Sequence, residues 1–233
     1  PSRGLGDVYK RQIYKSGGEM FWDSGNTGSA TLNKNVTTYD ATIKHSGNYS
    51  AKLQSQYVAL FGIGAFAAGN VFVGKFLKID GTDGILRFGR PFTSRPSKLV
   101  LYYRYVAGTV DYSTLSELPK NSKDMGSIYI ALGDWPHQTF EGETDIPVLV
   151  KTKPADRQLF DSNSSNVIGY GECILKESTE GEGLIKLEIP INYRSNRKPT
   201  DIILVGSASR YGDYFTGSTG STLWLDDLEL IYE

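Results

Sequence analysis

The chain reads as an all-β protein, a two-sheet antiparallel β-sandwich of the jelly-roll class, and three features predict it. Apolar residues recur with period two and not 3.6, Gly/Asn/Asp/Ser clusters separate the apolar runs at short intervals, and no long amphipathic helical pattern occurs. Ile185, Leu187, Ile189 and Ile191 alternate with Leu184, Lys186, Glu188 and Pro190, the pattern of a strand buried on one face.

Taken in order, strands are expected over 49–58, 70–77, 99–106, 127–132, 146–152, 167–176, 184–191, 201–205 and 221–232. The run 201–205 is apolar on both faces, as a central strand would be. Turns are expected at Ser46-Gly47-Asn48, Asp80-Gly81-Thr82-Asp83-Gly84 and Thr179-Glu180-Gly181-Glu182-Gly183, and 154–160 offers one or two helical turns. Two links exceed a turn, 108–124 and 135–145 with its continuation over 155–166, and long loops on a rigid scaffold are where binding usually resides.

The opening residues fall outside this pattern. Asp7-Val8-Tyr9-Lys10-Arg11-Gln12 resembles the translation of a transposon mosaic-end adapter used in sequencing libraries. Residues 1–12 are therefore expected to stand outside the fold and 13–233 to form one domain, with the true N-terminus and upstream domains missing.

With 233 residues, 39% of them hydrophobic, the chain can bury a full core without a metal or disulfide staple. A formal net charge of −1 provides no positive field for nucleic acid, and no apolar run is long enough for a transmembrane segment. Cys173 is the only cysteine, so no internal disulfide forms, and its strand setting suits an inert thiol. His45 and His137 are the only histidines, which leaves little material for zinc or triad chemistry. Gly62-Ile63-Gly64-Ala65-Phe66-Ala67 fits a loose dinucleotide-binding pattern, but the chain lacks the following helix, so no nucleotide cofactor is expected.

Candidate binding residues come from aromatics beside loop acids, because sugar rings stack their C–H faces on flat side chains while their hydroxyls seek polar partners. Asp134-Trp135 follows a strand directly, and Arg210-Tyr211-Gly212-Asp213-Tyr214-Phe215 places aromatics, an acid and a guanidinium in one glycine-bounded loop. The expected ligand site is a shared platform of Trp135 and Tyr214, with Tyr211, Asp134, Asp213, Arg95 and Arg90 contributing; anchoring of the loops is the alternative role. Asp226 and Asp227 interrupt the last apolar strand. They are candidate ligands of a structural Ca²⁺ or, alternatively, hydrogen-bonded aspartates at a bulge. The remaining acids leave a hydrolytic carboxylate pair conceivable without identifying it.

Several stretches together resemble the putative carbohydrate metabolism domain family of Bacteroidetes surface proteins. They are Phe21-Trp22-Asp23-Ser24-Gly25-Asn26, the ten residues from Phe66 to Lys75, Phe88-Gly89-Arg90-Pro91-Phe92-Thr93-Ser94-Arg95-Pro96, Tyr193-Arg194-Ser195-Asn196-Arg197-Lys198-Pro199-Thr200, and the run from Tyr211 through Asp227. The resemblance implies a jelly roll like those of carbohydrate-binding modules, on an exported protein at the cell surface, as an outer-membrane lipoprotein, or in the periplasm. It carries over no catalytic residue. The expected function is non-catalytic binding of a glycan or polysaccharide. The rivals are a polysaccharide-active hydrolase or lyase and a structural adhesin or surface-assembly module.

Overall fold

A computed structural model describes residues 21–29, 34–60 and 63–232; the segment 1–12 lies outside them. The first strands are β1 (Trp22–Asp23), β2 (Thr37–Asp40), β3 (Ser50–Gln54), β4 (Gln56–Leu60), β5 (Ile63–Ala67), β6 (Asn70–Asp80), β7 (Asp83–Phe88), β8 (Arg90–Pro91) and β9 (Lys98–Val106). There follow β10 (Gly126–Gly133), β11 (Gln138–Phe140), β12 (Glu143–Ile146), β13 (Val148–Lys151), β14 (Val167–Leu175), β15 (Ile185–Pro190), β16 (Asn192–Tyr193), β17 (Asp201–Ser207) and β18 (Thr222–Ile231). Helical structure is confined to one α-turn, Asn26–Ser29, and 3-10 turns at Pro154–Asp156 and Gly212–Tyr214 among the described residues. None of it is long and apolar enough to cross a membrane.

Two sheets form the sandwich. The larger runs β13-β7-β6-β17-β10-β14-β16, with β1 on β6 and β8 on β17; the smaller runs β15-β9-β18-β3-β2. Every pairing within them is antiparallel. The expected sandwich is thus the observed one. The run 49–58 divides at Ser55 into β3 and β4, and 146–152 divides around Pro147, which cannot donate to a ladder.

Alternation sorts most of the buried side chains among the described residues into two large cores, beside a smaller cluster of Ile85, Ile146 and Leu149. Ile128, Ile130 and Leu132 of β10 point inward with Val71, Val73, Ile202 and Leu204, and meet Leu53, Leu99, Leu101, Tyr105, Leu223 and Leu225 of the smaller sheet. The opposite face of the larger sheet carries a second cluster of Phe72, Leu86, Phe88, Ala131, Val150, Ile203 and Val205, covered by Trp135, Leu159 and Phe160 from the long 134–166 connection. A two-layer sandwich would leave that face to solvent; here loops cover part of it, and the uncovered part forms a groove.

Ile63–Ala67 of the loose dinucleotide motif forms the second strand of the β4-β5 hairpin and leads through Ala68-Gly69 into β6, with no helix between. A phosphate-binding helix terminus is therefore absent there.

Candidate functional site

β10 and β17 are antiparallel, with Ser127 opposite Ser207 and Gly133 opposite Asp201. The loop after β10 and the loop after β17 consequently leave the sheet at opposite ends, separated by about 20 Å at roughly 3.3 Å per residue. This register divides the sequence-predicted residues between two places.

Trp135, Asp134, Arg95 and Arg90 belong to the end of the sheet where β17 begins. Trp135 is 7% exposed and covers Gly133, where an added Cβ would come within 2.3 Å of the indole. Its ring meets Phe160 edge-on at 6.3 Å, so it is a core residue and not an open platform. Asp134 pairs with Arg197 at 3.3 Å. Arg95 donates to the backbone carbonyls of Arg197 and Ser195 and stacks 4.0 Å from the Tyr193 ring. Arg90 is buried, donates to the Gly74 carbonyl at 3.3 Å, and its charge acts on Asp23, whose carboxyl burial pushes up. Trp135, Asp134 and Arg95 hold loops and Arg90 ties β8 to β6, and the sandwich does not bring Trp135 together with Tyr214.

Tyr211, Asp213 and Tyr214 sit at the other end, in a loop whose shape follows from its contacts. Gly212 passes so close to Ala68 that a Cβ there would lie 2.3 Å from the alanine methyl. Thr114 Oγ1 donates to the Tyr214 carbonyl, Gly217 N–H donates to the Tyr112 carbonyl, and Ser218 N–H donates to Asp124 at 2.8 Å. The 108–124 connection therefore braces the 208–217 loop.

Beneath this loop the outer face of the larger sheet presents a row that sequence reading missed. Tyr129 lies opposite Glu172 on one side and Val205 on the other, while Tyr170 lies opposite Ala131. Phe160 stacks on Tyr129 at 5.4 Å and nearly parallel, and Tyr170 lies 6.1 Å from Tyr129. Glu172 is ion-paired with Arg210. Burial pushes the Tyr129 hydroxyl well above its ordinary range, with a smaller contribution from the Asp213 charge; burial and then Glu172 push Tyr170 up to about 12. Both tyrosines are neutral hydrogen-bonding groups at any physiological pH.

Asp213 stands where this row meets a groove of about 450 Å³. Its walls are Val58, Phe66, Phe76, Leu86 and Phe215 with small residues from the β4-β5 hairpin. The crowding of protein around the carboxyl pushes Asp213 up to about 6, and Arg157 opposes the shift. The residue nonetheless keeps substantial solvent exposure, so water moderates the penalty. Arg157 lies 4.6 Å over the Tyr214 ring and donates Nε to the Thr152 carbonyl at 3.0 Å. Among the described residues, neither the Asp213 carboxylate nor the terminal nitrogens of Arg157 have a hydrogen-bond partner. A carboxylate acceptor and a guanidinium donor are thus left uncommitted beside aromatic rings.

Asp226 and Asp227 lie away from this groove, on the outer face of the smaller sheet. The register slips between Asp226 and Glu229, and Asp227 has a φ of 45°, so the pair occupies a β-bulge. Asp226 accepts from His45 N at 2.8 Å, Ser46 N at 3.2 Å and Asp227 N at 2.9 Å, and Asp227 lies 2.7 Å from His45 Nδ1. Among the described residues no three His, Cys, Asp or Glu side chains gather as a metal group. The geometry is that of acceptors for N–H donors. Asp226→Ala should therefore cost about 2–4 kcal/mol in urea unfolding, and Asp226→Asn less, because the amide keeps one acceptor.

The architecture places the chain among antiparallel β-sandwich proteins, here with a groove on one sheet face. Residues 7–231 match the family model described as the putative carbohydrate metabolism domain, and the chain belongs to that family. A solved structure from Bacteroides thetaiotaomicron, described as a putative glycoside hydrolase, is 22% identical with a TM-score of 0.66; the match covers 94% of this chain and 65% of that one, just under two thirds of its length. A second, from Bacteroides vulgatus and described in the same words, is 24% identical with a TM-score of 0.67, covering 94% of this chain and 89% of that one. At these identities the likeness is one of fold. No curated protein sequence matches the chain.

Proposed function

We propose that the domain binds a glycan without cleaving it, in the groove between the 208–217 loop and the outer face of the larger sheet. The observation that carries this reading is the uncommitted pair of Asp213 and Arg157 beside Tyr214 and above Tyr129. Vicinal sugar hydroxyls need one acceptor and one donor in fixed relation, and each hydrogen bond to a charged group contributes about 1.5–3 kcal/mol. Membership of a carbohydrate-associated family supports the same ligand class.

Affinity electrophoresis through polysaccharide-loaded gels tests it. Asp213→Ala and Arg157→Ala should each weaken retardation by roughly tenfold or more while leaving the melting temperature within a few degrees of the parent. A parent protein that no polysaccharide retards would refute the reading.

The acid also sets a pH dependence. Desolvation raises its folded-state pKa above the ordinary 3.8, toward about 6 with water moderating the shift, so the folded state holds the proton more tightly than the unfolded chain. The native chain should lose melting temperature relative to Asp213→Asn as pH rises from about 4 through 6. Glycan retardation should strengthen over the upper part of the same range as the carboxylate acceptor forms, and Asp213→Asn should flatten both profiles.

A second reading rests on a specific feature. Asp213 is displaced toward neutral pKa while Glu172 is tied to Arg210, and both carboxyls act on Tyr129. Two carboxyls in unlike environments are what glycoside hydrolysis requires, and the two structural relatives are described as putative glycoside hydrolases. Release of reducing ends from a retarding polysaccharide, abolished by Glu172→Gln, would replace binding with hydrolysis.

A further inference from the structure

We propose that the groove beside Asp213 is an acetyl-recognition pocket, so that the preferred ligand is a saccharide carrying an N- or O-acetyl group. The inference rests on the glycan-binding reading and specifies its ligand. An unsubstituted sugar presents a hydroxyl on nearly every ring carbon, and each one buried without a partner costs binding. The groove offers few partners. Val58, Phe66, Phe76, Leu86 and Phe215 line it with carbon, and Gly28, Gly64, Ala65, Ala67 and Ala68 contribute no polar side chain.

The polar side chains in its lining are largely spent on one another. Asn70 Oδ1 accepts from Gly25 N at 2.8 Å. Thr152 Oγ1 accepts from Gly84 N at 2.9 Å and donates to Asp83 Oδ1 at 3.3 Å, while Thr82 Oγ1 donates to the second Asp83 oxygen at 3.4 Å. Three polar groups in the lining are left over, the first being Asn70 Nδ2, which makes no hydrogen bond among the described residues. Asp213 is at the edge where the aromatic row begins, and Ser29 Oγ is buried in the wall without a hydrogen-bond partner among the described residues.

That inventory matches an acetyl substituent. Its methyl needs an apolar enclosure, its carbonyl needs one donor, which the Asn70 amide or the Ser29 hydroxyl in the wall behind it can supply, and the ring that bears it remains outside with its hydroxyls on Asp213 and Arg157. A volume of about 450 Å³ leaves space for the substituent and part of the ring. A carboxylated or sulfated substituent is disfavoured, because the carbon-lined wall has no cation to receive its charge.

The test uses the intact protein and one polysaccharide backbone in acetylated and chemically deacetylated forms. Affinity electrophoresis should show the acetylated form retarding the parent at about five- to tenfold lower concentration, the value of enclosing one methyl and one carbonyl. Ala65→Leu fills the pocket and should remove the preference, so that the acetylated and deacetylated forms retard the variant equally; Ser29→Ala should reduce the preference several-fold. Equal retardation by both forms overturns the acetyl pocket and leaves glycan binding standing. A preference that survives Ala65→Leu, in a variant that melts like the parent, also overturns it by placing acetyl recognition elsewhere. Failure of every backbone to retard the parent defeats the glycan-binding reading and this inference with it.

Discussion

Asp124→Ala is expected to destabilise the protein by about 3–5 kcal/mol in urea unfolding. The side chain is fully buried and organises four donors. Oδ2 accepts from Ser209 Oγ at 2.6 Å, Ser221 Oγ at 2.7 Å and Ser218 N at 2.8 Å, and Oδ1 accepts from Met125 N at 2.8 Å. Ser209 passes the network on to Ser55 at 2.7 Å, where β3 gives way to β4. Removing the carboxylate strands all four donors in a space that water does not reach, which costs far more than one hydrogen bond contributes. Asp124→Asn keeps one acceptor and should cost clearly less. Because Ser209 and Ser218 bracket the loop that carries Asp213, glycan retardation should fail in Asp124→Ala even where the variant remains folded. A change below about 1 kcal/mol would show that the loops hold without the network.

Trp135→Ala is expected to cost about 3–5 kcal/mol and to leave glycan binding by the folded protein unchanged. The indole closes the second core over Gly133 and against Phe160, and the glycine is required because any larger residue would occupy the ring's position. Its deletion opens a cavity among Ala131, Val167 and Ile203, whose exchange protection should fall with it. Trp135→Phe should recover part of the loss. Loss of glycan retardation without loss of stability would restore Trp135 to the binding surface and displace the groove described above.

The strands were legible because each buries one face, and alternation over 185–191 or 127–132 survives any uncertainty about neighbours. The short pieces were not: β8 is two residues long and exists because Asp201 and Ile202 sit opposite it, a fact of pairing that Arg90 and Pro91 do not announce. The candidate site was half legible. The loop around Asp213 carries its own signal, several aromatics and an acid between glycines, and it does border the groove. Its supposed partners at Trp135 and Arg95 belong to the far end because β17 runs against β10, and strand direction is invisible in a list of strands. Tyr129, Tyr170 and Glu172 each look like an ordinary residue on a strand's second face. Only the register that sets Tyr129 against Glu172, and Ala131 against Tyr170, makes them a surface. The one available hint was that central strands 126–133 and 167–175 place rings and a charge where a solvent-facing strand would carry small polar residues.

Strand order in the smaller sheet bears on how the molecule is made. β18 is the last strand of the described chain, yet it lies inside that sheet, with β3 on one side and β9 on the other. Leu223 pairs with Leu53 and with Tyr105, so the sheet has no continuous hydrogen-bond ladder until 222–231 arrive. During synthesis β3 and β9 must wait as unjoined edges, with Leu53, Leu99 and Leu101 uncovered, while more than a hundred further residues emerge. At about 5–20 residues per second that interval lasts several seconds or more, long compared with microsecond hairpin formation. Closure is then one late, non-local event that must bridge the length of the chain, which places the domain among slow folders. A nascent chain arrested before Thr222 should therefore be protease-sensitive throughout the smaller sheet, and release of ten more residues should convert it in a single step to the resistant form.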